Sequence, residues 1–419
     1  MAAVPRIFVP SVRNNMTKIL KFPKGFLWGA ATSAHQVEGG NKNEWWAWSY
    51  KKSKMDILGI KVQISKTGRA ADHYNCYEED FNLVKKLNQN AHRFSIEWSR
   101  IEPKEGQFNF KELKHYQNVI RALKERNIIP FVTLHHFTCP IWFYRKGNWL
   151  NKKSPDYFNR YVEFFIKNIK EEVDFYITIN EPINYASWYL PLQGAYQGNK
   201  WPNLLDILRA IKNLIKAHQK AYKTLHQYGP KNIQVGIAKN NIFFDGRPKI
   251  LVSLADWYWN RMFLDKIKNE QDFIGLNYYF HSRIKPGFKN PKNWINQNEN
   301  KIVSDLGWEI YPEGIYHVLK DLKKYQKPIY ITENGLADEK DKLRENFIKD
   351  HLYWIHKAIG EEIDIRGYFH WSLMDNYEWE KGFWPRFGLI EIDYKTLERK
   401  IRPSAEVYAK ICQENAVFM

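Results

Sequence analysis

The chain has 419 residues, 44% of them hydrophobic and 26% charged, the balance of an ordinary globular protein with room for one large domain. A formal net charge of +18 raises nucleic-acid binding, but lysines such as Lys18, Lys85, Lys152, Lys212 and Lys323 are spread along the chain with no basic arm set apart, so composition accounts for the charge. Three scattered cysteines, Cys76, Cys139 and Cys412, argue against a disulfide framework or a cysteine-based metal site, and no apolar run of about 18 residues marks a membrane span.

The first residues lack the basic start and long apolar stretch of a signal peptide, so a cytoplasmic protein is expected. Residues 1–17 read as a loose extension and 18–419 as a single domain without linker or repeat. Strand-like apolar runs then fall at 26–32, 91–98, 128–135, 175–180, 233–238, 272–278, 329–332 and 365–371. Helical patterns occupy 77–87, 111–126, 155–170, 206–226 and 345–359. In 206–226, Ile207, Ile211, Leu214, Ile215, His218, Tyr222 and Leu225 recur at steps of three and four, and Gly229 follows the end. Strands buried on both faces and alternating with helices predict an α/β fold, a single closed (β/α)8 TIM barrel.

Active sites of such barrels gather at the C-terminal ends of the strands. Here those ends carry Gln36 and Glu38, Arg93 and Glu97, His135 and His136, Asn180 and Glu181, Asn277 and Tyr279, Glu333, Trp371, Asp375 and Glu378. Two runs end abruptly on a carboxylate: Thr178-Ile179-Asn180-Glu181-Pro182 and Ile331-Thr332-Glu333-Asn334-Gly335. A single strand-end Glu is commonly a surface or ion-paired group, but polar residues at nearly every strand end are harder to dismiss. Aromatics reach 16% of the chain, which suits a large core and also suits stacking on sugar rings. His135-His136 is a poor metal pair, because neighbouring strand residues point to opposite faces. His135 reads as structural, and Cys139 as a buried inert thiol.

These pieces resemble glycoside hydrolase family 1, the β-glucosidase and β-galactosidase family. The matching segments are Phe22-Pro23-Lys24-Gly25-Phe26-Leu27-Trp28-Gly29, Gln36-Val37-Glu38-Gly39, Phe94-Ser95-Ile96-Glu97-Trp98-Ser99-Arg100, Leu134-His135-His136-Phe137, the two carboxylate runs above, Gly275-Leu276-Asn277-Tyr278-Tyr279, Gly307-Trp308-Glu309 and Trp371-Ser372-Leu373-Met374-Asp375-Asn376-Tyr377-Glu378-Trp379. They stand in the family's order and span nearly the whole chain.

The resemblance implies a retaining exo-β-glycosidase that needs no cofactor or metal and acts on small β-glucosides or short β-linked oligosaccharides. Glu333 would be the nucleophile and Glu181 the acid/base. Retention requires two carboxyls about 5–5.5 Å apart, and the charge on Glu333 should raise the pKa of Glu181. Arg93 would hold Glu333 anionic, Asn180 would bond the sugar 2-OH, and Tyr279 and Asn277 would support the nucleophile. Gln36, His136, Glu378 and Trp379 would take the remaining hydroxyls, with Trp371 as stacking floor and Trp308 on the leaving-group side. Intact Glu378 would repel a 6-phosphate, so unphosphorylated β-glucosides are expected, with β-galactosides and β-fucosides tolerated. The segment before strand 6 is shorter than in the family, which implies a missing rim loop and a more open leaving-group side. A catalytically weak sugar-binding relative and a transglycosylase are the alternatives: the intact carboxylate pair disfavours the first, and the second shares the same intermediate.

Overall fold

The computed structural model describes residues 18–51, 54–57, 60–63, 65–192, 202–285, 295–296 and 302–419. The expected extension over 1–17 lies outside the described residues. Eight parallel strands close into a barrel: β1 (Leu27–Ala31), β2 (Ala91–Ser95), β3 (Ile129–Thr133), β4 (Phe175–Asn180), β5 (Gln234–Asn240), β6 (Phe273–Asn277), β7 (Ile329–Asn334) and β8 (Ile365–Trp371). Neighbours in sequence are neighbours in space, and β8 closes on β1 with Gly367 opposite Leu27 and Trp371 opposite Ala31. Each of the eight expected runs overlaps one of these strands, and β5 and β7 continue two residues beyond theirs.

The outer layer follows the amphipathic segments: α1 (His73–Lys86), α2 (Phe110–Glu125), α3 (Ser154–Asn168) and α4 (Leu204–Tyr228). Beyond β5 come α5 (Lys249–Asp256), a π-helical turn over Trp257–Arg261 and α6 (Met262–Ile267). Then follow α7 (Glu313–Leu322), α8 (Arg344–Gly360) and α9 (Pro403–Glu414). Side-chain caps begin two of them. Asn203 accepts from the Asp206 amide at 2.9 Å while Asp206 accepts from the Asn203 amide, a reciprocal cap that begins α4. Asn109 caps α2 by accepting from the amides of Lys111 and Glu112.

Two apolar layers result. Alternate strand residues such as Ile237, Leu276 and Ile331 pack outward against the helices. The opposite set, with Phe131, Ile177, Phe273, Tyr330 and Phe369, fills the barrel interior. Phe131 stacks on Phe175 at 4.2 Å and meets Phe369 at 4.8 Å, each aromatic pair adding about 0.5–1.5 kcal/mol beyond area burial. That plug makes the barrel a solid support with an open upper end. At the lower end a short strand, Ile19–Lys21, pairs antiparallel with Ala416–Phe418 and ties the two ends of the described chain together. No helix among the described residues is long and apolar enough to cross a membrane.

Candidate active site

Strict alternation along β7 would send Glu333 outward with Ile329 and Ile331. The strand instead slips register: Leu276 pairs with Ile331, yet the next β6 residue, Asn277, pairs with Glu333. β4 slips likewise, since Ile177 pairs with Gly236 and Asn180 with Ala238. Bulges of this kind add a residue to one strand and re-aim the side chains beyond it. Both carboxylate-bearing strands therefore turn their ends into the barrel mouth. Glu181 follows at φ 46°, a left-handed conformation that a non-glycine residue adopts only when its surroundings hold it there. Its amide donates to the Ala238 carbonyl at 2.7 Å, and Pro182 starts the short helix behind it. Gly335 is required by close approach, because a Cβ there would run into the Trp371 carbonyl oxygen.

The two carboxylates line one cavity of about 490 Å³ at the C-terminal ends of the strands. Glu333 accepts from Arg93 Nη1 at 2.6 Å and from the Tyr279 hydroxyl at 2.8 Å. Arg93 is itself locked: Nε donates to Thr133 Oγ1 and Nη2 to Asn180 Oδ1 at 2.7 Å. Glu181 is held by amides instead, with Nδ2 of Asn184 and of Asn277 each at 2.7 Å and that of Asn240 at 3.4 Å. Asn277 also donates to Asn180 Oδ1 and accepts from Thr332, so it links the two halves of the site. The resemblance put Asn277 with the nucleophile; its amide goes to Glu181.

Electrostatics differ from the expectation in one respect. Arg93 and Tyr279 do favour the anion of Glu333, but burial outweighs them and, with Glu181 adding like charge, pushes Glu333 up to about 7. Burial also raises Glu378 well above the usual carboxylate range, with Glu380, Glu333 and Glu181 adding to it. Burial thus favours the neutral form of Glu378 and works against the charge on which the sequence argument about a 6-phosphate relies. Burial, with Arg93 nearby, drives His136 well below its usual value, so its ring is neutral. Asn180 Oδ1 is committed to Arg93, which leaves its amide Nδ2 facing His136 Nε2 at 3.4 Å. Nε2 is thus the acceptor, and Nδ1–H, which has no partner among the described residues, is a free donor.

The remaining expected residues converge on the same cavity. Gln36 accepts from Ser33 and donates to Asn376 Oδ1 and the Tyr377 carbonyl at 3.0 Å, with Glu378 at 3.3 Å. Trp371 and Trp379 lie nearly parallel to the His136 ring at 5.9 and 6.3 Å, and Trp308 packs against Phe280 at 4.7 Å. Three strand-end carboxylates lie elsewhere. Asp375 is buried between Arg402 and Arg386, Glu38 pairs with Arg100 at 2.9 Å, and Glu97 caps the helix Trp98–Ile101. Each is a structural ion pair or cap. His135 contacts Cys139 Sγ at 3.3 Å among Trp149, Phe158 and Tyr185, and burial raises the Cys139 thiol well above its usual value. Sequence reasoning missed Asn184, Asn240, Trp188, Trp259 and Phe280, which complete the wall beside Glu181. Asn184 lies three residues after Glu181 on the same short helix, a usable signal; for the others no motif exists.

A (β/α)8 barrel whose mouth combines two buried, differently supported carboxylates with tryptophans and side-chain amides belongs to the sugar-cleaving class. The sequence model of Glycosyl hydrolase family 1 matches residues 19–244 and 261–417, and the chain belongs to that family of glycosidases. Beta-glucosidase A of Thermotoga maritima is 33% identical, over 95% of this chain and 99% of the relative. A solved beta-glycosidase from Pyrococcus horikoshii superposes with a TM-score of 0.85 at 38% identity, covering 96% of each chain. The Thermotoga maritima beta-glucosidase in complex with glucoimidazole gives 0.80 at 32% identity, over 95% of this chain and all (100%) of that one. The unmatched stretch, 245–260, holds α5 and much of the π-helical turn, so the departure from the family falls on the β5–β6 connection.

Proposed function

We infer that the protein is a retaining exo-β-glucosidase in which Glu333 is the nucleophile and Glu181 the acid/base. The observation that carries this reading is the unequal support of the two carboxyls. Glu333 meets a guanidinium and a phenol, both of which stabilise an anion. Glu181 meets only neutral amides and stands beside the leaving-group wall of Asn184, Trp188 and Trp259. In the first step a Glu333 oxygen bonds to the anomeric carbon as the glycosidic C–O bond breaks, and the Glu181 proton passes to the departing oxygen. In the second step water gives a proton to Glu181 and attacks the same carbon, and the ester to Glu333 breaks. Loss of the Glu333 charge in the ester is what lets Glu181 ionise and serve as base.

Arg93 and Tyr279 orient the nucleophile. Asn180, freed on its Nδ2 side, is suited to the 2-OH, and His136 Nδ1–H, Gln36, Glu378 and Trp379 to the other hydroxyls, over the face of Trp371. Glucose fits this set best, and β-galactosides and β-fucosides, which change single hydroxyls, are tolerated. The leaving-group side carries Ile242, Phe280, Leu306, Trp308 and Trp259, and several of its polar groups are already bonded inside the protein: Asn184 to Glu181, Asn240 to Glu181 and Trp259, and Ser187 to Tyr258. Proton NMR of 4-nitrophenyl β-glucoside hydrolysis tests the reading. β-Glucose should form first and mutarotate slowly to the α anomer; α-glucose as first product would overturn retention.

A further inference from the structure

Lys239 is a buried cation for which the double displacement has no stated use. It lies on β5 in phase with Val235 and Ile237, the apolar residues that face the helix layer, and is only 1% exposed. A desolvated ammonium is an expensive side chain for such a position. Its one hydrogen bond goes to the Asn240 carbonyl at 2.6 Å, and no carboxylate among the described residues is within ion-pair distance of it. The charged groups that act on it come from two elements: Glu181 at the end of β4 and Asp256 on α5. Asp256 is already engaged by Arg261 at 2.8 Å and by Asn260 at 2.7 Å. That leaves Glu181 as the carboxyl acting on Lys239 that has no cation of its own within ion-pair distance among the described residues.

Two neighbours join Lys239 to the reaction. Asn240, whose carbonyl takes its proton donor, also points its amide at Glu181. Trp259, which lines the cavity, sits with its ring centre 6.0 Å from Nζ and its indole N–H toward Asn240 Oδ1. Trp259 comes from the segment that the family match leaves out. We propose that Lys239 is a positioning residue for the acid/base: a walled-in cation behind Asn240 that favours the ionised form of Glu181 and thereby its action as base in the second step.

The physical logic is a balance of opposed charges on one carboxyl. Glu333, from β7, is the like charge that faces Glu181 before glycosylation. Once that charge is consumed in the ester, Lys239 remains as the opposite charge behind Asn240. Burial lowers the ammonium to about 7, and Glu181 is the largest charge acting against that. Arg93 is the other buried cation near the pair, and it is directed to Glu333.

This inference rests on the assignment of Glu181 above, and Lys239→Met and Lys239→Arg test it. With 2,4-dinitrophenyl β-glucoside, whose good leaving group makes the second step limiting, Lys239→Met should lower kcat about tenfold; with methyl β-glucoside, whose departure needs the acid, it should move the alkaline limb of kcat/KM upward by about half a unit to one unit. Lys239→Arg should restore kcat and keep the limb at or below the wild-type position. Uniform loss with an unmoved limb in Lys239→Met, or equal rates in both variants and wild type, would overturn the role. Lys239→Gln serves in the same way where the Met variant fails to fold. Absence of hydrolysis by the wild type would overturn the glucosidase reading and Lys239's role with it, whereas hydrolysis with an unmoved limb overturns Lys239's role alone.

Discussion

At the scale of single residues the site is governed by burial competing with hydrogen bonds. Glu333 has two strong donors and still sits near 7, because desolvation of its carboxylate is the larger influence. The sign of the pH effect follows. The folded value lies above the unfolded value of about 4.3, so the folded state holds this proton more tightly. The stability contributed here is complete below about pH 4.3 and is lost as the pH rises through about 7. Glu333→Gln cannot ionise. It should match the wild-type Tm near pH 4 and exceed it at pH 8, while removing activity; a Tm difference that is the same at both values would contradict the account. The same value places the acid limb of wild-type kcat/KM near 7.

At the scale of elements, the ends of β4 and β7 carry the two candidate carboxylates, and here the legibility of the sequence divides. Positions of Glu181 and Glu333 at strand ends were readable, because each apolar run stops on an acid, followed by Pro182 in one case and by Asn334-Gly335 in the other. The bulges that aim those ends inward were not. Period-2 alternation gives the wrong face for Glu333, and nothing in Ile-Thr-Glu-Asn marks the extra residue. The β5–β6 connection was readable only as a departure from the family. Its helix α5 and Trp259 needed the fold, since a wall assembled from 184, 188, 240 and 259 has no local pattern. That wall predicts an aglycone effect. Trp259→Ala should remove about 1.5–3 kcal/mol of ring burial and so lower kcat/KM for 4-nitrophenyl β-glucoside roughly tenfold or more. For β-glucosyl fluoride, whose leaving group is too small to reach the indole, the change should stay within about twofold. Equal losses on both substrates would mean that Trp259 supports the fold or Glu181 rather than the leaving group.

At the scale of the whole molecule, eight alternating apolar runs sufficed for the barrel, because each strand is buried on both faces and each helix on one. The aromatic plug of Phe131, Phe175, Phe273, Tyr330 and Phe369 closes the barrel below, so the cavity is a blind pocket with its polar floor at the strand ends. A blind pocket suits removal of one terminal sugar at a time. Polar strand ends that lie off the cavity, at Glu38, Glu97 and Asp375, serve the scaffold; only the fold could separate them from the site, since in sequence they look alike. The central claim is that this pocket forms a glucosyl ester on Glu333. The most direct test is incubation with 2-deoxy-2-fluoro-β-glucosyl fluoride, followed by mass spectrometry of the intact protein and of its peptides. One added fluoroglucosyl group, mapped to Glu333 and absent from Glu333→Gln, is the predicted result. An unlabelled protein that nonetheless hydrolyses aryl β-glucosides, or a label on another carboxyl, would contradict it.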